Sequence, residues 1–326
     1  MPKSDTLIVA PYVGEFGWEL MNWQGRVRWE IERRRPARAI ICAPPDRRAL
    51  YRDLIERRNV RFCPMPNVPW PGVANDDHRL TVDGRAMDPD ELAGAVRGHT
   101  KTILDLCAID STGADWLMPG FRSALHPTSA AHQRFVSLGT PQKITTDIVL
   151  VSRVREQAAE RNRPEQWWIS LARRLESRGL RVAFQQPRLD RAVQQFSTAR
   201  LAVGASTGGL HLASLCQCPH YVWGSGPESR WTSMAITNRQ RYETVWNPLG
   251  TPCIYDEVGW QPSLEHVEAG VSHALRTIGM NREGQVNRTP NARWRVKRTL
   301  ARVLEKSLRE SPWPWRVREL VRNHLV

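Results

Sequence analysis

Long apolar runs are missing from this 326-residue chain. Its apolar stretches, such as Asp147 to Val151 and Arg200 to Gly204, are the length of a strand. A membrane-crossing helix needs about 20 apolar residues, so no span is expected. Met1 runs directly into an apolar strand at Leu7, without the longer apolar stretch and small-residue cleavage site of a secretory signal. A cytoplasmic protein is the expectation. Cysteine is sparse, with six residues: Cys42, Cys63, Cys107, Cys216, Cys218 and Cys253. Cys216 and Cys218 are one residue apart and followed by Pro219, which is no zinc spacing. Buried, reduced thiols are expected. The nine histidines form no dense cluster with Asp or Glu, so no metal site is expected. No internal repeat is present.

Acidic residues are also in short supply, 33 against 47 Lys and Arg, which leaves a net charge of +14 and asks for an anionic partner. Nucleic acid, anionic lipid and phosphorylated substrates all qualify. Residues 282–326 carry 12 Lys/Arg and four Asp/Glu, so more than half of the excess lies in a tail. The rest of the chain is only mildly basic. Hydrophobic residues make up 41%, enough for a sizeable core. The length suits two α/β domains better than one.

Element order supports two domains. Thr6 to Tyr12 reads as a strand, followed by the loop Val13-Gly14-Glu15-Phe16-Gly17-Trp18 and a helix from Leu20 to Arg34. A strand over 37–44 and a helix over 47–58 complete βαβα order, which implies a parallel sheet with helices on its faces. Residues 63–80, rich in Pro and Asn, read as a long loop, and 84–140 carry no clear pattern. From about 142 the pattern restarts as a βαβαβαβ run: strand, helix from Pro164 to Gly179, strand at Leu180, helix at Asp190, strand at Arg200, helix after Ser206, strand at His220. Pro at the start and Gly past the end suit the first of these helices. The expected architecture is two Rossmann-like domains, 1–140 and 141–278, with a basic helical tail over 279–326.

The segment from Leu201 to Gly224 is strand, small-residue turn, helix start and strand. Ser206 and Thr207 suit the helix cap. Gly208 and Gly209 permit close backbone approach. Free N–H groups and the positive dipole end there suit a diphosphate. An ordinary strand-to-helix turn, with glycines for tight packing, fits the same residues, and both readings stay open.

This segment resembles the C-domain signature of GT-B glycosyltransferases similar to the bacterial heptosyltransferases. The run Ser206-Thr207-Gly208-Gly209-Leu210-His211, then Pro219, then Trp223-Gly224 and Pro227, follows their Asp-(Ser/Thr)-Gly-x-x-His signature and its sequel. Ser206 stands where the family usually has an Asp that contacts the donor sugar. Upstream, the loop holding Arg153, Arg161 and Arg163 beside Pro164, with Trp167 in the next helix, resembles the family's diphosphate-neutralising loop. At the N-terminus, Gly14-Glu15 matches a Gly-Asp pair whose Asp faces the acceptor. The resemblance therefore implies Glu15 as a catalytic base, with Gly14, the three arginines, Ser206, Thr207, Gly208, Gly209 and His211 around a nucleotide-sugar donor. Glu15 equally suits a helix start, Glu19 is a second candidate base, and His211 suits a helix residue bonded to a backbone carbonyl.

The resemblance implies inverting, metal-independent transfer of a sugar to a hydroxyl acceptor, a lipid-linked glycan among the acceptors it admits, with no cofactor beyond the nucleotide-sugar substrate. A sugar-nucleotide epimerase or pyruvyl transferase on the same fold is one alternative. A non-enzymatic nucleic-acid binder is another, although the basic residues are not interleaved with a known recognition motif. The 14 tryptophans include Trp18, Trp23, Trp70, Trp223, Trp231 and Trp246 near expected loops or strand ends, where indole faces stack on sugars and bases.

The tail has Val296, Leu300, Val303, Leu304 and Leu308 at helical intervals, with Trp294, Trp313 and Trp315 among its arginines. Such a helix either lies on an anionic membrane face or packs on its own fold. Co-sedimentation with anionic vesicles separates the two. The full chain should sediment at low salt and release as salt rises, while a chain ending at Arg288 should not sediment. Equal sedimentation of both, or of neither, excludes the membrane reading.

Overall fold

The computed structural model describes residues 5–66, 81–82, 85–86, 89–119, 132–154, 159–226, 230–231 and 236–278. The basic tail, Trp70 and Pro227 lie outside them. The chain forms two compact units, Met1–Phe135 and Val136–Val326.

In the first unit, β1 (Thr6–Val9) leads into α1 (Phe16–Trp18), a π-helical turn (Glu19–Trp23) and α2 (Gln24–Arg34). After β2 (Arg38–Ala43) comes a 3-10 stretch (Pro45–Tyr51) and only a four-residue α3 (Arg52–Ile55), where a longer helix was expected. The reason is visible at Arg28. Its fully buried guanidinium bonds Asp53 through Nε at 3.0 Å and Nη2 at 2.8 Å, and reaches the Leu50 carbonyl at 2.5 Å. Tying that carbonyl to a side chain competes with regular α-helical pairing. β3 (Val60–Pro64), the hairpin β4 (Thr81–Val82) and β5 (Arg85–Ala86), α4 (Pro89–Leu106) and β6 (Asp115–Leu117) follow. The sheet order is β3-β2-β1-β6, all parallel.

In the second unit, β7 (Thr146–Val151), α5 (Glu165–Glu176), β8 (Val182–Phe184), α6 (Leu189–Ser197), β9 (Ala199–Ala205), α7 (Gly208–Leu215) and β10 (His220–Trp223) match the expected alternation. Beyond it lie the short β11 (Arg230–Trp231) and β12 (Ile236–Thr237), then α8 (Asn238–Thr244), β13 (Cys253–Asp256) and α9 (Leu264–Thr277). The five-stranded sheet runs β13-β10-β9-β7-β8 and is parallel throughout. On one of its faces Trp168 stacks on Trp223 at 5.8 Å, amid Leu171, Leu175 and Val271. Both units are thus α/β with parallel sheets. Among the described residues, no helix is long and apolar enough to cross a membrane.

An aromatic and polar cluster is buried in the second unit. The His211 ring lies 4.6 Å from Trp246 and 5.8 Å from Tyr242, and Tyr242 lies 5.5 Å from both His220 and Tyr255. His220 holds the Cys218 carbonyl at 3.0 Å through Nδ1. Both ring nitrogens of His211, Nε2 of His220 and the hydroxyls of Tyr242 and Tyr255 have no hydrogen-bond partner. Burial, aided by the Arg241 charge and by His220, pushes the His211 imidazole down to about 3. Burial holds His220 down at about 4 against its bond to Cys218.

Acid should therefore unfold this unit through its histidines. Both sit below the ordinary value of 6.5, so the unfolded chain binds more protons between pH 6.5 and 4. Stability present above pH 6.5 is lost as pH falls, by up to about 1.4 kcal/mol per pH unit for each imidazole. Carboxylates such as Asp147, lowered by Arg181 from 3.8, act below that window. Urea midpoints measured from pH 7 to 4.5 should drop steeply, and His220→Asn should remove about one proton from the slope. A midpoint independent of pH over that range contradicts this account.

Candidate functional site

In a doubly wound sheet, ligands bind outside the carboxyl ends of strands, where the strand order reverses. Here the reversal falls between β7 and β9, which pair in register from Ile148↔Leu201 to Val151↔Gly204. Both strands end at that edge, one leading into the loop of Arg153 and the other into Ser206 and Thr207. The pair is packed flush. A Cβ on Gly204 would lie 2.7 Å from the Val151 carbonyl and 3.0 Å from the Leu210 side chain.

Ser206 is buried, its amide donates to the Trp223 carbonyl at 2.9 Å, and its hydroxyl has no partner. Thr207 holds the cap position of α7 in extended conformation (φ −146, ψ 170), yet no side chain caps the helix. The first amides of a helix have no partner within it, so they point outward from this turn. Gly208 and Gly209 open α7. Gly209 is required by packing, since a Cβ there would lie 2.3 Å from Gln185 Oε1 and 2.5 Å from Val151 Cγ1. The missing side chain seats α7 on the ends of β7 and β8. His211, one turn on, is 5% exposed and faces the aromatic cluster.

The three arginines differ in what holds them. Arg153 is buried and donates to the Asn162 side chain. Arg163 donates to Gln261 and to the Pro262 carbonyl and lies 4.7 Å over Trp167. Arg161 lies 4.3 Å over Trp260, pairs loosely with Glu160 at 3.7 Å, and its Nε has no hydrogen bond. Gln261 closes the arrangement by donating its amide to the Glu160 and Asn162 carbonyls. Trp260 and Gln261 were missed in the sequence, where nothing ties them to residues a hundred positions away.

In the first unit, Gly14 takes φ +140, a conformation that favours glycine, and its Cβ position lies 3.2 Å from the Tyr12 ring. Glu15 is half-buried at the cap of α1, where its carbonyl accepts from Trp18 and Glu19. Glu19 is buried in the π turn. Its Oε2 accepts from Arg47 Nε at 2.8 Å, and Oε1 has no partner. Burial pushes the Glu19 carboxyl up against the pull of Arg47. Tyr12 is also pushed up, by burial and by the charges of Glu19 and Glu15, so its phenol stays neutral between two carboxylates. Tyr12 and Arg47 carry no motif in the sequence. The structure brings Gly14, Glu15 and Tyr12 together at the carboxyl end of β1. In the other sheet the Ser206–Gly209 turn follows β9 and Arg153 follows its neighbour β7, while Arg161 and Arg163 pack on Trp260 and Pro262 beyond β13. Among the described residues, no group of three or more His, Cys, Asp or Glu could hold a metal ion.

No family model matches the chain, and no curated protein matches it. Among solved structures it is similar to the E. coli heptosyltransferase WaaC with ADP, at 11% identity and a TM-score of 0.47 over 82% of this chain and 99% of that one. It is also similar to E. coli ADP-heptose heptosyltransferase II, at 13% and 0.45 over 83% and 98%. A glycosyl transferase of family 9 from Veillonella parvula matches at 9% and 0.42 over 85% and 99%.

Proposed function

We propose that the protein is a glycosyltransferase that moves a sugar from a nucleotide-sugar donor to a hydroxyl acceptor, with inversion and without a metal. The observation that carries this reading is the site at the β7–β9 reversal. It combines an uncapped helix start, a buried Ser206 hydroxyl without a partner, and arginines arriving on the neighbouring strand's loop. Backbone amides and a helix dipole suit a diphosphate, and permanently charged guanidinium groups grip its oxygens. Arg161, the least committed of the three, suits the leaving diphosphate. Arg153 and Arg163 hold the loop that carries it.

In this reading the acceptor oxygen attacks the anomeric carbon as the bond from that carbon to the diphosphate breaks. The acceptor proton passes to the Glu15 carboxylate and the nucleoside diphosphate leaves. A single displacement inverts the anomeric centre. Gly14 and Tyr12 fix the backbone that presents Glu15. Charge building on the diphosphate is met by α7 and the arginines, which need no reorganisation to receive it. The proposal extends to a cytoplasmic enzyme whose basic tail rests on the inner membrane face, near a lipid-linked acceptor.

A thermal-shift screen against ADP, UDP, GDP, dTDP and CMP should give one selective stabiliser, since a ligand bound only to the folded state raises its midpoint. ADP is the first probe because similar proteins were solved with it. Gly208→Val should weaken that nucleotide at least about tenfold, close to the loss of one good charged hydrogen bond. Glu15→Gln should lower release of nucleotide from its sugar donor by about 10²–10⁴ while leaving nucleotide affinity intact. Nucleotide binding unchanged in Gly208→Val removes the helix start from the donor site. Near-normal turnover in Glu15→Gln removes the base.

A further inference from the structure

A surface cavity of about 430 Å³ lies in the first unit, lined by Ile31, Glu32, Arg35, Pro36, Arg57 and Asn59. Two turns form it: one joins α2 to β2, and the other leads from α3 into β3. It therefore sits at the amino-terminal ends of the parallel strands, the sheet edge opposite Gly14 and Glu15. The Asn59 side chain donates to the Pro36 carbonyl at 2.9 Å, and the Ala39 amide donates to the Asn59 carbonyl at 2.8 Å, which fastens the two turns together. Ile31 and Pro36 are buried and give the cavity an apolar wall, while Arg35 and Arg57 are exposed on it. α2 closes on Arg35 in the left-handed conformation (φ 50, ψ 54), its amide donating to the Ile31 carbonyl at 3.0 Å. Glycine adopts this closure without strain, so an arginine here puts a guanidinium on the cavity wall at a conformational cost. Arg33 and Arg34 pair with Glu30 at 2.6 and 2.8 Å, so the cations that suit the negative end of a helix are already supplied. Among the described residues the Arg35 side chain has no such partner.

We infer that this cavity is a second ligand site, which takes a phosphate group between Arg35 and Arg57, carried on a small molecule or a lipid headgroup. Glu32 is the one carboxylate among the lining residues. It is shared by Arg57 Nη2 at 3.8 Å and Arg134 Nε at 3.2 Å, so a single anion stands among three guanidinium groups. The excess positive charge asks for an anion, and a phosphate brings more negative charge than a carboxylate. Residues 26–61, which frame the cavity, hold twelve arginines, no lysine and five carboxylates. The guanidinium fork matches pairs of phosphate oxygens, a geometry that an ammonium group lacks. The volume falls within the range of small-molecule sites, roughly 300–1,000 Å³, which leaves room for the group that carries the phosphate. Ile31 and Pro36 offer that group an apolar surface. No part of this site depends on the transfer reaction, because its residues lie at the other end of the strands from Glu15.

The test is calorimetric titration of the full chain with sn-glycerol 3-phosphate, with glycerate as the carboxylate control, beside co-sedimentation with vesicles containing phosphatidic acid. Arg35→Gly and Arg57→Gln should each weaken the phosphate probe at least about tenfold, the loss of one charge-assisted hydrogen bond. Arg35→Gly should also unfold at a midpoint equal to or above the wild type, because glycine relieves the left-handed closure. Lost binding in a protein at least as stable separates a ligand contact from a structural one. Gly208→Val should bind glycerol phosphate as the wild type does, which sets this site apart from the proposed donor site. Dependence on Arg35 and Arg57 seen with the soluble probe points to a small molecule, and dependence seen only with vesicles points to a lipid headgroup. The inference is overturned if neither probe loses affinity in Arg35→Gly and Arg57→Gln, if glycerate binds as tightly as glycerol phosphate, or if Arg35→Gly is less stable than the wild type.

Discussion

The second unit's site depends on the contact of β9 with β7 at Gly204. A parallel pair sets its neighbours' spacing, and any side chain at Gly204 would press on the Val151 carbonyl itself, a backbone atom that cannot swing away. With hydrogen there, Val151 and Gly204 sit in register, and both chains leave the sheet at the same level. Gly209 repeats the device one step later, letting α7 begin directly over the ends of β7 and β8. Two absent side chains thus fix where a helix start and an arginine loop emerge together. The packing reading holds for Gly209, whose Cβ would meet Gln185 and Val151.

The arginine loop shows how neighbouring cations are held apart. Arg153, Arg161 and Arg163 lie within eleven residues and repel one another unless something spreads their charge. Arg161 and Arg163 each lie over an indole, Trp260 and Trp167, whose electron-rich faces attract cations. Arg153 is placed by Asn162, and Gln261 fastens the loop backbone from the far side through two carbonyls. Aromatic faces hold position without neutralising charge, as carboxylates would.

Legibility in the sequence followed the strength of local signals. The run from Thr146 to Trp223 was readable because its strands are mostly apolar and its first helix starts and stops at Pro164 and Gly179. α4 went unread because Gly94, Gly98, Thr100 and Thr102 interrupt its pattern. Leu92, Val96, Thr100 and Leu104 nonetheless bury one face, so packing overrides weak propensity. β6 has three residues, too few for any period. At the site, Ser206, Gly208 and Arg161 could be named from motif and spacing. Trp260, Gln261, Tyr12 and Arg47 could not, because their roles come from contacts across the fold. The order β13-β10-β9-β7-β8, which marks the reversal point, is likewise tertiary.

Two carboxylates lie one helical turn apart at the end of β1, and their surroundings divide the work between them. Glu19 is sealed in the π turn, and its ion pair with Arg47 offsets the cost of burying a charge. A group so held stabilises the turn, because removing either partner would strand the other in the interior. Proton transfer from a substrate needs a carboxylate that solvent or substrate can reach. Glu15 meets that condition: it is half-exposed, and its backbone is set by the positive φ of Gly14. The π turn lies immediately after α1, a place where such widened turns recur at functional sites. The widening falls between Glu19 and Gln24, whose amide donates to the Glu19 carbonyl, while Glu15 and Glu19 keep an ordinary one-turn spacing. Burial and the Arg47 pair make Glu19 an anchoring carboxylate and leave Glu15 the accessible one, so the pair need not compete for the same role.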